Sequence, residues 1–122
     1  MYIEGCMSTD SIVKQKSMTF AKRIVQLYKY LGKEHHEYVM SKQILRSGTS
    51  IGANVAEAIY GSSKKDFVAK LQIAQKEAAE TLYWLELLNS SDYIPDKLYL
   101  SLTDECKEIL AILAATIKSC AE

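Results

Sequence analysis

Breakers of regular structure are scarce in this chain of 122 residues, which holds one proline and five glycines. Long uninterrupted segments follow from that scarcity. Histidine is scarce too: only His35 and His36 occur, and neither stands three residues after a Glu on a helical segment. That excludes the paired Glu-x-x-His motifs of a di-metal carboxylate bundle. Three cysteines, Cys6, Cys106 and Cys120, lie far apart with no Cys-x-x-Cys pair. They form neither a disulfide framework nor a zinc site, and they fit a reducing cytoplasm. No apolar run approaches the roughly 18 residues of a membrane span, and the N-terminus lacks the basic-then-apolar layout of a signal peptide. A phosphate loop is missing too, because Gly61-Ser62-Ser63-Lys64-Lys65 lacks the second glycine and the Lys-Ser/Thr ending. There is no nucleophile elbow and no cysteine at a helix start. A non-enzymatic protein without cofactor or metal is the expectation.

What is present is ordinary in bulk and uneven in detail. Apolar residues make up 48%, charged residues 25%, and the formal net charge is zero. This bounds the chain to one globular domain with a core of its own. Six basic residues and no acid lie between Ser11 and Lys33, whereas six acids face three lysines from Asp92 to the end. Such an asymmetry can serve a polyanion, or it can draw the first and last helices together.

Four segments repeat with helical period. The first, Ser11 to Leu31, places Val13, Phe20, Ile24, Leu27, Tyr28 and Leu31 on one face and Lys22, Gln26, Lys29 and Lys33 on the other. A link over Gly32 to His36 leads to the second, Glu37 to Tyr60, closed by Gly61 as a C′ glycine. Ser63-Lys64-Lys65-Asp66 has capping-box spacing and opens the third. That segment carries a heptad seam of Phe67, Leu71, Ala74, Ala78, Thr81, Leu85 and Leu88. Asn89 to Asp92 breaks it, Pro95 suits a first helical position, and the fourth holds Tyr99, Leu102, Cys106, Ile109, Leu113, Thr116 and Cys120. The reading is all-α: an up-down-up-down antiparallel four-helix bundle over 11–122, preceded by a flexible segment, 1–10.

Two features exceed a plain bundle. On the third segment Ile73, Trp84 and Leu87 lie off the seam, interleaved with Glu77 and Glu80. They mark either an oligomer surface or a wider core. The second segment holds Arg46-Ser47-Gly48-Thr49-Ser50-Ile51-Gly52-Ala53-Asn54, a helical stretch with two glycines. Each interior glycine costs about 1 kcal/mol against alanine, so a close helix crossing must offset it. At 100° per residue Gly48, Ile51, Gly52, Val55, Ala58 and Ile59 fall on one side, and Arg46, Ser50, Asn54 and Glu57 on the other. Arg46 and Glu57 lie roughly 16 Å apart along one helix and must find partners elsewhere. Ser63, Lys64 and Lys65 could hold a phosphate at a helix start, or form a plain cap.

The run from Arg46 to Asn54, with Glu57-Ala58 behind it, closely resembles the signature of the bacterial family of 23S ribosomal RNA intervening-sequence proteins. The flanks agree, from Phe20-Ala21-Lys22-Arg23-Ile24-Val25-Gln26-Leu27-Tyr28-Lys29 before it to Asp66-Phe67, Ala74, Lys76-Glu77-Ala78, Glu80-Thr81, Tyr83-Trp84-Leu85 and Leu87-Leu88 after it. The resemblance covers about Ser11 to Lys118. It implies an up-down four-helix bundle that assembles into a ring-shaped homopentamer without enzymatic activity. A relative, the accessory variability determinant of diversity-generating retroelements, engages its reverse transcriptase and nucleic acid; for the intervening-sequence members an RNA-related role is assumed, and most have no established function. Carried over by position, Arg46, Ser47, Gly48, Thr49, Ser50, Gly52, Asn54 and Glu57 are expected to serve packing and hydrogen bonding between subunits. Lys22, Lys29 and Lys33 are the candidate phosphate contacts. Net zero charge and an acidic last helix depart from a nucleic-acid binder, although five copies in a ring would repeat the lysines as a basic band. The leading expectation is a cytoplasmic homo-oligomeric scaffold for RNA or an RNA-associated protein. The alternative is a protein-interaction module that uses the Ile73/Trp84/Leu87 surface and touches no nucleic acid.

Overall fold

Four α-helices carry the residues that the computed structural model describes, 10–121: α1 (Asp10–His35), α2 (Met40–Ile59), α3 (Lys64–Ser90) and α4 (Asp96–Ala121). Residues 1–9, and with them Cys6 and most of the segment expected to be flexible, lie outside the described residues.

The ends of the helices show why the chain turns where it does. α1 continues one turn past the expected stop at Leu31, through Gly32 to His35. It ends because His36 takes a φ of 50°, and the N–H groups of His36 and Glu37 then reach back to the carbonyls of Gly32 and Leu31, both at 3.1 Å. Glu37, expected inside the second helix, stands before it and caps it. Its carboxylate accepts the N–H groups of Val39 and Met40 at 3.1 Å and of Ser41 at 2.8 Å, three donors a helix start leaves without partners. Burial pulls this carboxyl upward, but those three N–H groups and the Ser41 hydroxyl outweigh it and hold the group below its usual value.

At the far end of α2, Gly61 follows the C-cap Tyr60 as expected. Crowding, rather than a left-handed backbone, explains the glycine: a Cβ there would lie 3.0 Å from the carbonyl oxygen of Ala58. Ser63 caps α3 by accepting the Asp66 N–H at 3.1 Å. The Asp66 carboxylate reaches back to the N–H of Ser62 rather than Ser63, so only half of the expected capping box forms. α3 closes as a Schellman turn. Asp92 has a φ of 66°, its N–H bonds Asn89 O at 3.1 Å, and Tyr93 N–H bonds Leu88 O at 2.9 Å. Pro95 precedes α4 and its carbonyl accepts the first helical N–H, from Tyr99, at 3.0 Å.

Each helix packs on its neighbours in sequence, and α1 closes the circuit against α4. The contacts run in opposite order on every adjoining pair. Ile24 lies under Gly48 and Ser17 under Gly52; Arg46 meets Glu77 and Glu57 meets Lys70. Likewise Cys106 lies against Ala78 and Asn89 against Asp96, while Arg23 meets Glu105 and Lys16 meets Glu108. All adjacent helices are therefore antiparallel.

The α3 heptad is buried in full. So are Leu102, Cys106, Ile109, Leu113, Thr116 and Cys120 of α4, with Tyr99 half-buried at the margin. On α1, Val13, Phe20, Ile24, Leu27 and Leu31 are buried and Tyr28 is half-buried. Each fully buried Leu, Ile or Phe stabilises the fold by about 1.5–3 kcal/mol relative to exposure. Cys106 is a free buried thiol, and Cys120 is buried as well. No helix among the described residues is long and apolar enough to cross a membrane.

Candidate functional site

The glycine-bearing stretch of α2 faces both its neighbours. Gly48 is buried against α1, where a Cβ would lie 2.8 Å from Ile24 Cγ1 and 2.9 Å from Cγ2. Only a bare backbone fits there. Gly52 is looser, since its Cβ would meet Ser17 at 3.4 Å. Ser47 belongs to the buried face as well, although helical angles alone had grouped only glycine and apolar residues there. Its hydroxyl lies 2.9 Å from that of Thr81 on α3, and the Thr81 hydroxyl also reaches the carbonyl of Glu77 at 2.8 Å. A buried polar pair is tolerated because each member has a partner.

On the solvent side Arg46 spans α2 and α3. Its guanidinium donates to Glu77 Oε1 at 3.1 Å and to Glu80 Oε2 at 2.5 Å. The same Glu80 oxygen accepts the indole N–H of Trp84 at 2.9 Å. Arg46 first, then Trp84, hold the Glu80 carboxyl below its usual value, against a smaller upward pull from burial. Thr49 and Ser50 donate to carbonyls one turn back, Leu45 O and Arg46 O, both at 2.6 Å. Asn54 donates to Ser50 O at 2.9 Å, and Glu57 pairs with Lys70 at 3.1 Å. Every polar side chain of the motif thus has a partner within the chain.

The charge asymmetry of the sequence divides in two. Lys16 pairs with Glu108 at 3.0 Å, and Arg23 pairs with Glu105 at 2.6 Å while also donating to the Ser101 hydroxyl. The acidic last helix therefore draws in the flank of α1. Lys22, Lys29 and Lys33 stay exposed and form no ion pair among the described residues. At spacings of seven and four residues they share one outward stripe.

Ile73, Trp84 and Leu87 share a face of α3, but the structure treats them differently. Ile73 is 39% exposed, whereas Trp84 and Leu87 are half-buried. Trp84 packs on the core and stands edge-on to Tyr83, with ring centroids 5.0 Å apart. Tyr83 itself is exposed. Ser63 serves as a cap, and Lys64 and Lys65 are exposed beside it.

One cluster escaped sequence reasoning. At the end of the bundle His35 stands edge-on to Tyr30 of α1 and to Tyr93 of the α3–α4 link, with centroids at 5.6 and 5.3 Å. With Asn89, Asp92, Ile94, Pro95 and Asp96 these rings line an open cleft. No sequence pattern signals it, because its walls come from distant parts of the chain. Among the described residues no group of three or more His, Cys, Asp and Glu could hold a metal. Burial, with a lesser push from Glu105, drives the Cys106 thiol up to about 12, so it stays protonated.

No curated protein matches the sequence. A crystal structure of a protein of unknown function from the S23 ribosomal protein family of Bacteroides thetaiotaomicron VPI-5482 superposes with a TM-score of 0.89 at 55% identity, covering 90% of this chain and 98% of that one. The profile of the 23S rRNA-intervening sequence proteins matches residues 9–115, which takes in the α2 motif, the lysine stripe and the α3 seam. This chain belongs to the 23S rRNA-intervening sequence protein family.

Proposed function

We propose that this protein is a non-enzymatic cytoplasmic scaffold that assembles with copies of itself, as a pentamer, and binds RNA or an RNA-associated protein along α1. The observation that carries the reading is the division of cations on that helix. Lys16 and Arg23 are engaged by α4, while Lys22, Lys29 and Lys33 face outward without an anionic partner among the described residues. Phosphates are a natural partner for such a stripe. A neutral protomer does not forbid this, because assembly repeats the stripe around a ring. The family name adds support, since it ties these proteins to intervening sequences of 23S rRNA. Titration with a labelled structured RNA, read by fluorescence anisotropy at low and near-physiological salt, tests the proposal. Binding that weakens steeply with salt, and is lost in Lys22→Glu/Lys29→Glu while the oligomer persists, is the expected result. Absence of binding at low salt would overturn the RNA reading in favour of a protein partner on the α3 surface.

A further inference from the structure

The cleft at the end of the bundle shares no lining residue with the lysine stripe or the α2 motif, and its charged side chains are of the opposite sign. Aromatic walls come from Tyr30, His35 and Tyr93, and carboxylates from Asp92 and Asp96. The rings hold one another in place: Tyr30 and Tyr93 both stand edge-on to His35, and the Tyr30 hydroxyl lies 3.4 Å from His35 Nε2. One oxygen of Asp96 accepts the Asn89 amide at 2.9 Å, which orients the carboxylate and leaves its second oxygen without a partner among the described residues. The other Asn89 bond, to Ile94 O at 3.1 Å, ties the link itself down. Neither Asp92 nor Asp96 meets a cation among the described residues.

A ligand for this cleft must be flat enough to lie on a tyrosine or imidazole and must offer hydrogen-bond donors to carboxylates. It must also tolerate two negative charges, which a phosphate-bearing nucleotide does not. Guanidinium meets all three conditions, because it stacks on aromatic faces and presents a rigid fork of N–H donors to a carboxylate. We propose that the cleft receives the arginine side chain of a partner protein. A second copy of this chain cannot supply it from the described fold, for its two arginines, Arg23 and Arg46, are already held by Glu105 and by Glu77 with Glu80.

The test uses the whole protein and a capped Gly-Arg-Gly peptide, with the citrulline and lysine versions as controls. Citrulline keeps the shape without the charge, and lysine keeps the charge without the plane. The readout is the His35 imidazole resonances in NMR, told apart from those of His36 by the His36→Asn variant. The arginine peptide is expected to shift the His35 signals in a saturable way, and Asp92→Asn/Asp96→Asn is expected to weaken that response roughly tenfold. Both side chains in that variant keep their shape, and an unchanged melting curve shows that the fold persists. An equal response to citrulline, an indifferent double variant, or no saturation would overturn the proposal. Tighter binding of guanosine monophosphate than of the arginine peptide would overturn it in favour of a nucleobase. None of these outcomes depends on whether the lysine stripe binds RNA.

Discussion

The hydroxyls of Ser47 and Thr81 lie 2.9 Å apart inside the α2–α3 seam, the one side chain-to-side chain hydrogen bond between fully buried residues of these two helices. It fixes which residue of α2 faces which residue of α3, and it sits one residue from the Arg46 bridge on the surface above.

The pair is expected to be coupled. Thr81→Val leaves the Ser47 hydroxyl with only the Ile44 carbonyl at 3.5 Å, a poor bond, and should destabilise by about 1–3 kcal/mol. Ser47→Ala with Thr81→Val together should cost less than the sum of the two, since no orphaned group remains. Urea denaturation of the four proteins measures this; strict additivity would mean that the hydroxyls act independently.

The two glycines of α2 should respond in opposite directions. Gly48→Ala forces a Cβ to within 3 Å of the branched root of Ile24 and is expected to cost about 1–3 kcal/mol despite the gain in helix propensity. In an Ile24→Ala background, which lacks both clashing γ carbons, Gly48→Ala should cost less. Gly52→Ala meets only ordinary contacts and should be neutral or stabilising by up to about 1 kcal/mol. Thermal melts of the two single variants decide it.

Acid should loosen the α2–α3 face first through Glu80. Its carboxyl sits below the usual carboxylate value of 4.5 in the folded chain because Arg46 and Trp84 bind the ionised form. A depressed folded value means that its stabilisation is present above pH 4.5 and is lost as pH falls through the lower folded value. Glu80→Gln should flatten that part of the stability–pH curve. Because Trp84 bonds the same carboxylate, its fluorescence follows the change directly. An unaltered slope in the variant would show that the bridge contributes nothing measurable in water.

Cys106 should be inert in the folded protein. Its thiol is buried and pushed up to about 12, so the reactive thiolate is absent at neutral pH. A disulfide-exchange reagent is expected to modify it only at the rate of unfolding, and rapid reaction of the native protein would contradict the burial.

Self-assembly through α3 is best tested at Ile73, whose side chain is exposed, so that charge there leaves the core intact. Ile73→Lys should lower the mass seen by light scattering. Trp84 is a poorer test, because its ring packs on the core. An unchanged mass would remove this face from the assembly.

Helix number, core faces and family were all legible in the chain, because each depends on local repetition. The α3 seam from Phe67 to Leu88 and the α4 face from Leu102 to Cys120 repeat at intervals of three and four, and a helix cannot help but gather such residues on one side. Helix ends were less legible. His36 and Asp92 adopt left-handed backbone without being glycine, and Glu37 acts as a cap from outside its helix, choices that neighbouring backbone groups settle. The sequence could say that Arg46 and Glu57 needed partners on other helices; that these are Glu77 with Glu80 and Lys70 depended on the register of α2 against α3. Register also separated the bound cations of α1 from those with no ion pair among the described residues, since only residues turned toward α4 reach Glu105 and Glu108. The Tyr30–His35–Tyr93 cleft belongs wholly to tertiary structure. Its walls come from the end of α1 and the α3–α4 link, and only the antiparallel closing of α1 against α4 brings them to one place.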